Sequence, residues 1–291
     1  MKKINIFCFG FGQIAKNFIK KINSENIIIN LTVTSRKRSE IKIFDKIKYE
    51  SFQFSKNYFD QNLIKNLESS DYILASIAPI EGEDIVIKSF QHIFKKNNIK
   101  WITYLSATSV YGDHQGKWVD EKSRTNPTSS KGIDRLKAES SWINLAENKN
   151  LPVQIFRLSG IYSNEKNVLT RLKSGETQII YKKKQFFSRI HVEDIANILF
   201  KSLDNFKSKE IYNVSDDKPT SPEELILYGS KLLNIEKPKV VELSTIESEI
   251  LKNFYKDSKK VNNKKMKEFF NYKLKYPTYI EGLNHICNNI I

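Results

Sequence analysis

A chain of 291 residues, 40% hydrophobic and 28% charged, is long enough to bury a sizeable core and has the balance of an ordinary globular protein. It has no apolar run near the ~20 residues of a membrane span, and its two cysteines, Cys8 and Cys287, exclude a disulfide framework or a cysteine metal cluster, so no metal is expected and a reducing cytoplasm is the expected compartment. The formal charge of +15 comes from 41 Lys and 7 Arg spread along the chain; nucleic-acid readers lean on arginine, so a nucleic-acid partner is not expected.

The first residues, two lysines before an apolar stretch, look briefly like a signal peptide. The stretch breaks at Gly10 and Gly12 with no small-residue cleavage site after it, so residues 4–9 read as a strand. Residues 14–22 have helical spacing, with Ile14, Phe18, Ile19 and Ile22 on one face. Residues 27–33 read as a β-branched strand, 59–67 as a helix, 71–77 as a buried strand and 84–96 as an amphipathic helix. Residues 101–105 and 153–158 read as strands, with a helix over 134–147 between them. This alternation predicts an α/β, doubly wound parallel sheet of the Rossmann type. Beyond Gly160 the rhythm loosens. A helix is expected over 168–173, extended chain over 178–181 and 187–191, a helix over 192–203 and a strand over 211–214. Ser221 caps a helix running to about 233, and the chain from 247 on reads as mostly helical. The expected organisation is a dinucleotide-binding core over 1–160 and a smaller substrate lobe over 161–291, with segments at about 187–220 returning to the core.

The sequence Gly10-Phe11-Gly12-Gln13-Ile14-Ala15 fits G-x-G-x-x-A at the end of a strand and the start of a helix. Gly10 permits the tight turn, Gly12 lets backbone approach a pyrophosphate, and Ala15 lets helix and sheet pack closely. The free N–H groups of the new helix then face the anion. Phe9 to Ala15 is therefore the expected pyrophosphate site, with Gly10, Phe11, Gly12, Gln13 and Ile14 as contacts. An acidic residue at the end of the second strand would hold the ribose 2′-hydroxyl of NAD. Thr34-Ser35-Arg36-Lys37-Arg38 stands there instead. Ser35 and Arg36 suit a 2′-phosphate, so NADP is favoured over NAD. Ser76, Ile77, Ser106, Leu158 and Ile161 are further candidate cofactor contacts.

Several segments together resemble the short-chain dehydrogenase/reductase superfamily, in its extended and atypical, epimerase/dehydratase-like branches: the glycine turn, 105–113, 157–162, 189–196 and 212–216. They run in the right order from residue 3 to about 220. Residues 110–121 and the tail from Lys260 to Leu283 are similar to an atypical, YeeZ-like subgroup. The resemblance implies a catalytic Ser or Thr, and a Tyr whose phenol is made acidic by a Lys in Y-x-x-x-K. Carried over residue by residue, the lysine is Lys137, which would also hold the nicotinamide ribose. The hydroxyl position is Ala107 and the tyrosine position is Ile133. Two of the three catalytic groups are thus absent. Thr108 and Tyr111 are the nearest substitutes, with Ser106 and Ser109 beside them.

Tyr162 and Arg189 are candidate substrate residues, Arg189 for an anionic group. His191 is read as structural, Asp194 as capping or opening its helix, and Asp216-Asp217 as a solvated turn. The favoured reading is an NADP-dependent oxidoreductase with a degenerate triad, acting on a small molecule that the sequence does not name. The alternative is a dinucleotide-binding sensor or assembly protein without chemistry. A sugar-nucleotide epimerase or dehydratase is weaker, because that chemistry relies on the missing tyrosine.

Overall fold

The computed structural model describes residues 3–95, 99–175 and 177–290. Lys2 of the N-terminal stretch, the chain ends Met1 and Ile291, and residue 96, the last of the expected helix 84–96, lie outside them. The chain forms two compact units, each drawn from three stretches of sequence: Met1–Ala107 with Ile133–Arg157 and Ile195–Tyr212, and Thr108–Gly132 with Leu158–Asp194 and Asn213–Ile291.

The first unit is organised by a central sheet. Its strand order is Ile211–Val214, Val153–Leu158, Trp101–Ala107, Tyr72–Ala75, Lys3–Phe9, Ile28–Ser35, Ile47–Ser55, Glu40–Phe44. Lys3–Phe9 lies parallel to both Ile28–Ser35 and Tyr72–Ala75, with Cys8 opposite Val33 and Leu74. Its residues are buried without alternation from Ile6 to Phe9, the mark of a strand covered on both faces. Phe7 and Phe9 join Leu63, Phe90 and Trp142 in one core cluster. Phe18, from the helix Gln13–Ser24, stacks on Trp101 at 5.9 Å. Among the described residues no helix is long and apolar enough to cross a membrane.

Three stretches differ from expectation. Between residues 33 and 59, where no element was expected, Glu40–Phe44 and Ile47–Ser55 form an antiparallel hairpin. Its turn residues Asp45 and Lys46 have φ of 50° and 65°, the backbone of a two-residue hairpin turn that usually announces itself through Asn-Gly or Asp-Gly. Lysine in the second place hides it. The helix expected over 59–67 is Leu63–Glu68, because Tyr58–Phe59 pairs with the hairpin instead. The helix expected from 84 is Ile85–Phe90, with the Asp84 carboxylate capping Val86 N at 2.9 Å and Ile87 N at 3.0 Å.

The second unit is built from short parallel ladders and helices. Gly160–Tyr162 pairs with Arg189–His191, Ile179–Tyr181 with Val240–Glu242, and Trp118–Val119 with Lys260–Val261. Val168–Lys173 is capped reciprocally by Asn167 and Thr170. Pro222–Leu232 is capped by Ser221, whose hydroxyl accepts from Glu224 N at 3.0 Å. These two helices and Tyr279–Ile290 enclose a core of Leu169, Leu172, Leu225, Ile226, Leu283 and Ile286.

Candidate functional site

The glycine turn of the first unit is set by backbone. Gly10 has φ +87°, and a Cβ there would stand 2.8 Å from Ser76 Oγ and 3.2 Å from Ile77 Cγ1. Both the left-handed conformation and the space demand glycine. Gly10 N donates to Thr34 Oγ1 at 3.0 Å, and Ser76 N and Oγ both donate to Phe9 O. Gly12 is extended and makes no side-chain cap for the helix Gln13–Ser24, and nothing lies within 4 Å of where its Cβ would be. The first N–H groups of a 12-residue helix therefore carry the positive end of its dipole without a side-chain partner at the cap, beside open space. The Phe11 ring turns onto the hairpin, 5.3 Å from Phe44 and 5.2 Å from Tyr49. Gln13 and Ile14 are half-buried and Ala15 is buried. Ser35 ends the second strand with its hydroxyl accepting from Lys37 N at 3.2 Å, while Arg36 is exposed. This geometry fits a dinucleotide pyrophosphate at Gly10–Gln13.

Ala107 ends the strand Trp101–Ala107. Ile133 is 41% exposed on the helix Ser130–Lys149, and Lys137 is exposed one turn further on, so both share a helix face. Ser106 Oγ donates to Glu139 Oε1 at 2.5 Å. Glu139 also takes Arg157 bidentately, from Nε at 3.0 Å and from the terminal NH2 at 2.7 Å. All three residues are buried. The hydroxyl of Ser106 thus serves a buried ion pair that the sequence reading did not single out. Nothing local to either residue announces the pairing of Glu139 with Arg157, 18 residues on.

The second unit holds a cavity of about 880 Å³. Thr108, Ser109, Ile161, Tyr162 and Arg189 line it, which brings Thr108 together with both expected substrate residues. Tyr111 is elsewhere. It is fully buried, and its hydroxyl donates to Asn213 Oδ1 at 2.8 Å. Leu158 is buried. Tyr162 stands against Gly282, where a Cβ would meet its hydroxyl oxygen at 2.0 Å. Burial pushes its phenol far up, with the Asp216 and Asp194 carboxylates adding to the effect. Arg189 donates to the carbonyls of Phe187 at 3.0 Å and Thr220 at 3.3 Å; burial lowers it to about 10, so it stays charged at neutral pH. The cavity also carries Lys131, Lys166, Arg171 and Lys259, against Glu165 and Asp257. Its apolar wall includes Phe187 stacked on Phe254 at 4.1 Å. Sequence reading did not place these cations together, because they come from three separated stretches.

His191 is fully buried. Glu193 N donates to its Nδ1 at 3.3 Å, which assigns the ring proton to Nε2. Burial lowers it to about 4, and its ring lies 4.2 Å from that of Tyr276. Asp194 lies in the first turn of its helix, as expected, and its carboxylate accepts from Tyr272 Oη at 2.7 Å, Lys275 N at 2.7 Å and Tyr276 N at 3.0 Å, tying down the C-terminal segment. One expectation is corrected. Asp216 is not in a solvated turn but is 1% exposed. Burial raises its carboxyl well above the usual range, opposed by the Arg189 guanidinium.

Residues 10–215 match the family model of the NAD dependent epimerase/dehydratase family. The chain belongs to that family. Among solved structures it is similar to a conserved protein of unknown function from Silicibacter pomeroyi DSS, at 30% identity over 99% of both chains with a TM-score of 0.85. It shares its fold with the UDP-N-acetylglucosamine 4-epimerase of Bacillus cereus, at 17% identity over 99% of this chain and 100% of that one, TM-score 0.76. It does so too with the dTDP-glucose 4,6-dehydratase of Bacillus anthracis str. Ames, solved with NAD, at 17% identity over 99% and 96%, TM-score 0.75. No curated protein sequence matches the chain. As an epimerase/dehydratase family member with a Rossmann-type sheet, the protein is of a kind that binds a nicotinamide dinucleotide.

Proposed function

We propose that the protein is an NADP-dependent oxidoreductase acting on a small anionic molecule held in the cavity of its second unit. The observation that carries the cofactor choice is Arg36, exposed directly after Ser35 where a carboxylate would be needed to favour NAD. Gly10 and Gly12 admit the pyrophosphate, the N–H groups opening the helix Gln13–Ser24 donate to its oxygens, and Arg36 pairs with the 2′-phosphate. Lys137, exposed on its helix, is the residue that the family resemblance assigns to the nicotinamide ribose. A nicotinamide dinucleotide supplies a hydride donor or acceptor when bound. Arg189 and its neighbouring cations give the cavity its preference for an anion. Two free cysteines, Cys8 and Cys287, accord with a reducing cytoplasm as the working compartment.

Thermal unfolding with NADPH, NADP, NADH and NAD tests the cofactor reading. A ligand at a hundred times its Kd stabilises the native state by about 2.7 kcal/mol. The midpoint is expected to rise by roughly 5–10 °C with NADP(H) and by less with NAD(H), and Arg36→Ala is expected to erase the difference. Equal or larger shifts with NAD(H) in the native chain would overturn it. A second reading, a dinucleotide sensor without chemistry, is favoured by Ala107 and Ile133. It fails if the native chain oxidises NADPH with a carbonyl substrate and Lys137→Ala abolishes that turnover.

A further inference from the structure

The cavity contains a lysine that neither the glycine turn nor the family's catalytic positions account for. Lys259 lines it, as do Thr108, Ser109 and Lys131. Its side chain is only 12% exposed. Nζ donates to the Gly112 carbonyl at 2.9 Å and lies 3.6 Å from the Asp257 carboxylate. An ammonium has three N–H donors, and these two contacts occupy at most two of them.

The position is fixed by its neighbours on both sides. Ser258 N donates to Asp113 Oδ1 at 2.8 Å, and Ser258 Oγ donates to Lys184 O at 2.6 Å. Immediately after Lys259, the strand Lys260–Val261 pairs with Trp118–Val119. Burial lowers the pKa of the Lys259 ammonium, while Asp257 and Asp113 oppose the shift. Such an amine is neutral for a larger fraction of the time than a surface lysine at the same pH. The other charged groups lining the cavity are Lys131, Lys166, Arg171 and Arg189, with Glu165 and Asp257 against them.

We propose that Lys259 is the reactive amine of this cavity and makes it a site for small aldehydes or ketones that carry an anionic group. The cations beside it take the anion and the amine meets the carbonyl. This deepens the oxidoreductase reading by naming its substrate class.

The test uses pyridoxal 5′-phosphate, an aldehyde that carries a phosphate, on the full chain. A neutral amine adds to its carbonyl carbon, water leaves, and the imine is trapped by borohydride. Peptide mapping is expected to find Lys259 modified ahead of Lys131 and Lys166, with a pH midpoint below that of the surface lysines. Pyridoxine 5′-phosphate, which has the phosphate and no aldehyde, is expected to slow the labelling at least fivefold. Lys259→Arg keeps a cation for Gly112 and Asp257 and is expected to lose the label. Modification of Lys131, Lys166 or surface lysines with Lys259 spared overturns the proposal, as does labelling of Lys259 that the phosphate competitor leaves unchanged. The readout is independent of the cofactor. Labelling at Lys259 in a chain that no dinucleotide stabilises would refute the oxidoreductase reading and leave this site standing; a dinucleotide shift without labelling would do the reverse.

Discussion

The two units make their sites from different material. In the first, Gly10, Gly12 and the opening turn of Gln13–Ser24 present backbone N–H groups and space. In the second, the cavity is walled by long side chains: arginines, lysines and stacked phenylalanines. A backbone site recognises what all dinucleotides share, so it can persist while the chemistry beside it changes. A side-chain site is specific to its chain, and each residue in it is open to substitution. The family hydroxyls missing at Ala107 and Ile133 would be side chains of the first unit, and their loss leaves its backbone-built glycine turn intact.

The largest expected effect tests how firmly the first unit is held. Glu139→Ala removes the carboxylate that pairs bidentately with Arg157, whose side chain is 5% exposed, and leaves a buried cation without that ion pair. Breaking a buried pair in this way costs about 3–5 kcal/mol, read as a loss of that size in chemical denaturation. A change below about 1 kcal/mol would mean that the pair is not what anchors Ser106 and the lysine-bearing helix.

The second effect belongs to the side-chain-built unit. His191 is held neutral, lowered to about 4 by burial, while an unfolded histidine titrates near 6.5. Its contribution is complete above pH ~6.5 and is lost as pH falls toward 4, because the unfolded chain binds the proton first; the full difference is about 3 kcal/mol. Glu193, His285 and Lys275 also act on it, and Asp194 and Asp216 titrate in the same unit. The informative quantity is therefore the stability difference between the native chain and His191→Asn, measured at pH 7 and at pH 4.5. The native advantage should shrink on acidification. An advantage that is constant or grows would contradict a neutral buried imidazole.

These residues also show what could be read from the chain. The glycine turn, the strand Val153–Leu158, the helix Val168–Lys173 and the Ser221 cap were legible because each is specified within a few neighbouring residues. The hairpin over Glu40–Ser55 was not, since its turn carries Lys46 where glycine is the usual sign. Asp216 was misread, and the ties of Asp194 went unseen, for one reason. A carboxylate in a turn-like or helix-opening sequence looks solvated, and only tertiary contact shows that Asp194 accepts from residues about 80 positions away. Lys259 was invisible for the same reason, one lysine among 41.

The smallest effect concerns the vacated tyrosine position. Ile133 is exposed on its helix, so Ile133→Tyr should change stability by less than about 0.5 kcal/mol and leave dinucleotide affinity within twofold. A strong loss of either would show that the isoleucine itself is part of the site.

The central claim is that backbone at Gly10–Gln13 binds a dinucleotide. Calorimetric titration of NADPH into the native chain and into Gly10→Val tests it most directly. The variant meets a strained left-handed backbone, costing about 1–3 kcal/mol, and a side chain in contact with Ser76 and Ile77. One NADPH is expected to bind per native chain, with affinity at least a hundredfold weaker in Gly10→Val and the variant still folded by circular dichroism. A native chain that binds no dinucleotide, or a folded variant that binds as tightly as the native chain, would contradict it.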